Sequence, residues 1–305
     1  MIQRIRHPHV GFRGMTNSMG FRSPEFSREK KSGVVRILFL GSSTTFGVTG
    51  PIEKTFPFLV GEILRQEMPD VKIEILNAAQ PNKTSYWELQ RMEETLSLEP
   101  DIWVVMTGYN DTASIHNHFV EISQSGELII RQWHVQLHQW IAEHSVFYVT
   151  LREKIALLLY GSPSFAFSRP GDSTIKKSPE DIQAWFRNYP LHFRKNLEKM
   201  ANLARPSGAQ LVFLKGPLSA SRKERHPIYS RGYLRLMEEL RKVSVKYQIS
   251  MIDLDSTFSG KDSAGLFMED GLHFTDSGNL EIAKAVSEFF VRNRKDYLEG
   301  KTSLS

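Results

Sequence analysis

The 305-residue chain contains no cysteine. Disulfides, thiolate metal sites, iron–sulfur clusters and cysteine nucleophiles are thereby excluded. It also lacks the roughly 18 uninterrupted apolar residues that a membrane helix needs. The best candidate, 145–161, is broken by Arg152, Glu153 and Lys154. Like charges do not run together. Lys and Arg number 39 against 34 Asp and Glu, a dispersed net charge of +5, so nothing points to nucleic acid as a partner. Two arginines precede His7, but no apolar stretch follows them, and no signal peptide is read there. Gly-Phe-Arg at 11–13 and 20–22 is too short to be a structural repeat.

What is present is enough apolar material for a sizeable core, 40% of residues. Short β-rich runs predict five strands, at 34–40, 71–76, 102–106, 210–214 and 249–253. Helical spacing lies between and after them, at about 56–68, 84–98, 181–204, 228–247 and 277–293. Apolar strands alternating with helices predict a parallel sheet covered on both faces. The expected fold is a flavodoxin-like three-layer α/β/α sandwich with five parallel strands.

Residues 1–33 lack periodicity and read as an extended N-terminal arm, leaving 34–298 as the domain. About 70 residues between the third strand and the next predicted sheet helix exceed ordinary connection lengths. Trp133, Leu137, Trp140 and Ile141 have helical spacing there, and 151–160 reads as another helix. A Ser/Pro/Gly-rich loop spans 162–177. Ser178-Pro179-Glu180-Asp181 then has the chemistry of a helix start. The stretch 112–178 is therefore read as a helical insertion.

In doubly wound sheets, ligands sit beyond the carboxyl ends of the strands. Three polar stretches fall there. Gly41-Ser42-Ser43-Thr44 follows the first strand, and Gly108-Tyr109-Asn110-Asp111 follows the third. Asp270-Gly271-Leu272-His273 lies between the fifth strand and the last helix. A hydroxyl nucleophile needs a base near its Oγ, and that base needs a carboxylate to fix its tautomer. Developing negative charge needs fixed donors, which main-chain N–H groups and the Asn110 amide can supply. Taken singly, each stretch could be a turn or a cap.

Together these residues resemble the SGNH hydrolases, the GDSL-type esterases and lipases. That family's first block is Gly-Asp-Ser after the first strand; here it reads Gly41-Ser42-Ser43, with serine in the aspartate position. Its second block places a glycine N–H toward the oxyanion. Here Asn77-Ala78-Ala79-Gln80-Pro81-Asn82 follows the second strand, with Asn82 in the glycine position and Ala79 as a second candidate. Its third block, Gly-x-Asn-Asp, matches Gly108 to Asp111. Its last, Asp-x-x-His, matches Asp270 and His273. The arm, with Asn17-Ser18-Met19-Gly20-Phe21-Arg22, is similar to one preceding this domain in many bacterial members.

The resemblance implies a serine hydrolase acting on a carboxylic ester or O-acyl group, with no cofactor. Ser43 would be the nucleophile, His273 the base and Asp270 its orienting carboxylate. The N–H groups of Ser43 and Asn82 and the Asn110 amide would hold the oxyanion. The substrate would be a small-molecule or glycan-linked ester. An O-acyltransferase or a polysaccharide deacetylase would use the same residues, and a non-catalytic binding module could retain the fold. A nucleotide binder is disfavoured, because 41–47 contains neither Gly-x-Gly-x-x-Gly nor a P-loop lysine.

Other features carry less. His116, His118, His134 and His138 have spacings seen in zinc sites, but no acidic or further ligand is evidently placed, so no metal is expected. Trp133, Trp140, Trp185 and Phe186 read as core aromatics. Arg222 to Arg225 reads as a solvated basic loop.

Overall fold

A computed structural model of the chain describes residues 15–113, 121–122, 128–129, 151, 179–258 and 265–299. The first strand, β1 (Val34–Gly41), is buried along nearly its whole length, as expected of a strand covered on both faces. It runs into a four-residue helix, α1 (Ser43–Phe46). Then follow α2 (Phe56–Glu67), β2 (Lys72–Asn77), α3 (Ser85–Thr95), β3 (Ile102–Met106) and α4 (Tyr109–Ala113). A short pair, β4 (Glu121–Ile122) and β5 (Leu128–Ile129), comes next. The chain continues through α5 (Pro179–Ser207), β6 (Gln210–Lys215), α6 (Ala220–Arg225), α7 (Pro227–Tyr247) and β7 (Ser250–Asp253). It closes with α8 (Leu254–Phe258), α9 (Asp276–Arg292) and α10 (Arg294–Tyr297).

The main sheet has the order β2-β1-β3-β6-β7, and every neighbouring pair is parallel. This is the doubly wound α/β architecture that the alternation predicts. Helices α2 and α9 pack together, as do α5 with both α3 and α7. Side chains such as Leu38, Phe39, Trp103, Val104 and Phe213 are fully buried between the helical layers. Chain order reverses on either side of β1, so the crevice outside the carboxyl ends of β1 and β3 is the topological switch point.

The arm joins this core. Phe21 is fully buried, and the main-chain N–H of Arg22 donates to the Asn77 carbonyl at 2.9 Å. The Arg22 guanidinium donates to the carbonyls of Met15 at 2.7 Å and Gly50 at 2.6 Å.

Two details depart from the sequence expectation. The stretch 112–178 is not wholly helical: it contains the antiparallel pair of β4 and β5. The helical spacing at Trp133, Leu137, Trp140 and Ile141 and the loop at 162–177 lie outside the described residues. Helix α5 runs through Pro190, as the predicted span of about 181–204 does, although an interior proline removes one i→i−4 hydrogen bond. The basic stretch around Arg222 is the last part of α6, capped by the Ser219 hydroxyl, which accepts from the Arg222 N–H at 3.0 Å.

Candidate active site

Ser43 opens α1 directly beyond β1. The turn requires a glycine before it. A Cβ on Gly41 would run into Thr45 Oγ1 and come within 2.8 Å of the Met106 carbonyl oxygen. The structure brings Ser43 to the loop before α9, 230 residues away in sequence. Ser43 Oγ lies 2.8 Å from His273 Nε2, and His273 Nδ1 lies 2.5 Å from Asp270 Oδ2. A carboxylate facing Nδ1 places the ring proton there, leaving Nε2 to accept from the Ser43 hydroxyl.

Asp270 is itself held. Its Oδ1 accepts from the N–H groups of Leu272 at 2.9 Å and His273 at 3.0 Å. Partial burial works against its charge, but the His273 ring and these two N–H groups outweigh burial and hold the carboxyl below its ordinary range. The loop is pinched at its base. Met268 N–H donates to the His273 carbonyl at 2.8 Å, and Gly271 N–H donates to the Met268 carbonyl at 2.9 Å. Gly271 has φ +67, a left-handed conformation suited to glycine.

The second group of candidates lies on the segments that follow β2 and β3, on either side of β1. Asn82 is exposed and has φ 61, a conformation that asparagine tolerates better than most residues. Ala79, the other candidate for the same role, already donates its N–H to Asn77 Oδ1 at 3.1 Å. Asn110 is half-buried and donates from Nδ2 to the Lys83 carbonyl at 2.9 Å. Its amide has a second N–H with which to donate.

The model of the GDSL-like lipase/acylhydrolase family matches residues 39–280 of this chain. The chain belongs to that family. A comparison with curated proteins finds no match. Among solved structures, this GDSL-like chain is similar to LAE5, an alpha/beta hydrolase enzyme from the metagenome of Lake Arreo, at 15% identity and TM-score 0.52. That match covers 84% of this chain and 94% of the other. It is also similar to Axe2, an acetylxylan esterase from Geobacillus stearothermophilus, at 15% identity, TM-score 0.52 and the same two coverages. A lipase/acylhydrolase from Enterococcus faecalis aligns at 17% identity and TM-score 0.51, over 85% of this chain and 96% of that one. These structural likenesses show the α/β fold, and family membership makes the protein an ester hydrolase.

Around the site, this GDSL-like hydrolase carries groups that motif reading passes over. Asp111 is fully buried and accepts from Ser85 N–H at 2.9 Å and Ser85 Oγ at 2.6 Å. Asn196, on α5, donates to Ser85 Oγ at 3.0 Å, and the Tyr189 hydroxyl donates to Asp111 Oδ1 at 3.3 Å. Burial pushes the Asp111 carboxyl up to about 6. Burial first, and then neighbouring Asp111, push the Glu88 carboxyl well above its ordinary range. Asp111 could be suspected from Gly-x-Asn-Asp; Asn196 carries no local signal at all.

The expectation of a solvated basic loop is corrected at Arg222. That side chain is half-buried and donates to the Asp270 carbonyl at 3.2 Å. Trp185 is buried and Phe186 half-buried, while Trp133 and Trp140 lie outside the described residues. So do His116, His118, His134 and His138. Among the described residues, no group of three His, Asp or Glu side chains could hold a metal ion, and no helix is long and apolar enough to cross a membrane.

Proposed function

We propose that the protein cleaves a carboxylic ester or O-acyl group through an acyl-enzyme on Ser43. The observation that carries this reading is the unbroken relay from Ser43 Oγ to His273 Nε2 at 2.8 Å and from His273 Nδ1 to Asp270 at 2.5 Å. Ser43 Oγ attacks the acyl carbon as His273 Nε2 takes its proton. The same nitrogen then returns the proton to the departing alcohol oxygen. A water deprotonated by His273 releases the acid and regenerates Ser43. Asp270 holds the imidazole in its tautomer and stabilises the imidazolium.

The N–H groups of Ser43 and Asn82 and the amide of Asn110 are assigned to the tetrahedral oxyanion. The engaged N–H of Ala79 supports Asn82 over Ala79 in that role. Serine in the aspartate position, Ser42, is buried and has no part in the relay. Hydrolysis of p-nitrophenyl acetate by purified variants tests the reading. Ser43→Ala and His273→Ala should each lower kcat by about 10⁴-fold or more, and Asp270→Ala by less than His273→Ala. Equal turnover by wild type and Ser43→Ala would overturn it.

A further inference from the structure

The loop carrying Asp270 and His273 presents three successive main-chain carbonyls to one short segment after β6. The Ser219 N–H donates to the Gly271 carbonyl at 3.3 Å. Arg222 Nη1 donates to the Asp270 carbonyl at 3.2 Å, and Arg225 Nη2 to the Glu269 carbonyl at 2.8 Å. The approach is close enough to exclude a side chain: a Cβ on Gly271 would run into Ser219 Oγ and lie 2.9 Å from Arg222 Cβ.

The same segment grips the turn at the end of β3. The Arg222 guanidinium lies 4.6 Å from the ring centre of Tyr229, and the Tyr229 hydroxyl donates to the Tyr109 carbonyl at 2.9 Å. That carbonyl belongs to the peptide preceding Asn110. Tyr109 reaches back, its hydroxyl donating to the Pro217 carbonyl at 2.7 Å. Tyr233, stacked on Tyr109 at 5.0 Å, donates to the Gly216 carbonyl at 2.7 Å.

We propose that Arg222 is a positioning residue that couples the Asp270–His273 loop to the Asn110 turn through Tyr229. This rests on the roles assigned above to Ser43, His273, Asp270 and Asn110. One planar cation meets both demands, because a guanidinium can stack on a ring while its N–H groups donate at the edge. Loss of either contact frees the loop or the turn to shift. A displacement of about 1 Å between reacting groups can cost 10²-fold in rate. Binding of a small ester depends far less on that alignment, so the effect should appear in kcat.

The test is a double-mutant cycle on p-nitrophenyl acetate hydrolysis, with melting temperatures recorded. Arg222→Ala should lower kcat by about 10- to 100-fold with KM within about threefold. Arg222→Lys should recover part of that loss. Tyr229→Phe should lower kcat several-fold in the wild-type background and add little to Arg222→Ala, since the path is already cut. Wild-type kcat in a folded Arg222→Ala variant, or losses that simply multiply in the double mutant, would overturn the coupling. If Arg222→Ala does not fold, the cycle of Arg222→Lys with Tyr229→Phe decides by the same criteria. A fluorophosphonate that labels wild type at Ser43 separates this failure from failure of the underlying reading. Absence of labelling would overturn both.

Discussion

Ser85 donates to Asp111 twice, from its hydroxyl at 2.6 Å and from its main-chain N–H at 2.9 Å. The contact ties the start of α3 to α4. Ser85 is three residues beyond Asn82, and Asp111 directly follows Asn110. The donors assigned to the oxyanion are thus fixed relative to each other by a buried carboxyl beneath them. Two carboxyl oxygens with several lone pairs suit Asp111 to collect N–H and O–H groups in this way.

This polar layer has a pH signature. A carboxyl raised in the folded state keeps its proton while the unfolded chain has lost it. Stability from such a group is complete below the unfolded pKa and is lost as pH rises toward the folded one. For Asp111 the loss should run from about pH 4 to about 6 and then level off. Glu88, also raised well above its ordinary range, should lose stability in the same direction as pH rises past its unfolded value. Glu88→Gln removes its share. The stability of Glu88→Gln relative to wild type should therefore grow with pH, by up to about 1.4 kcal/mol per pH unit while folded Glu88 stays protonated. Denaturant unfolding at pH 5 and pH 8 checks this; a constant difference would contradict it.

Asn82→Gly should keep kcat within about threefold of wild type. Glycine preserves the N–H and adopts a positive φ at less cost than asparagine. Asn82→Val should destabilise by about 1–2 kcal/mol, because a β-branched residue is strained there. Steady-state kinetics and thermal melts of both variants measure these effects. A loss above about 100-fold in Asn82→Gly would assign the work to the side chain instead of the backbone.

Asn110→Ala should lower kcat by about 10²- to 10³-fold with little change in KM, as expected on losing one donor that acts on the developing oxyanion. It also removes the hydrogen bond to the Lys83 carbonyl, so a melting curve should accompany the kinetics. A rise in KM at unchanged kcat would place Asn110 in ground-state binding.

Gly41→Ala should destabilise the protein by about 1–3 kcal/mol, since the added methyl meets Thr45 and the Met106 carbonyl in a packed region. Any shift it forces moves Ser43, two residues on. Chemical unfolding and p-nitrophenyl acetate turnover should fall together. A fully stable but inactive Gly41→Ala variant would contradict the packing argument.

Much of this was legible in the sequence, for physical reasons. Strands buried on both faces, such as Ile102–Met106, must be apolar throughout and stand out. Their carboxyl ends announce Ser43 and Asn110 by polar residues that follow at once. Helix α1, only four residues long, has no periodicity to read. The strands β4 and β5 have two residues each and leave no alternation, so no strand was read within the helical insertion. Asn196 meets Ser85 only because α5 packs on α3. Arg222 read as solvated because the group it hydrogen-bonds is a main-chain carbonyl, which leaves no trace in residue identity. The contacts of Asn196 and Arg222 are tertiary, and no local pattern encodes them.

The assignment of Ser43 as nucleophile is tested most directly by covalent labelling. Wild type, Ser43→Ala and Ser42→Ala would be treated with a fluorophosphonate and the adduct located by peptide mass spectrometry. Wild type and Ser42→Ala should each carry one adduct on Ser43, formed as its oxygen displaces fluoride from phosphorus, and Ser43→Ala should carry none. Labelling that persists in Ser43→Ala and disappears in Ser42→Ala would contradict the account.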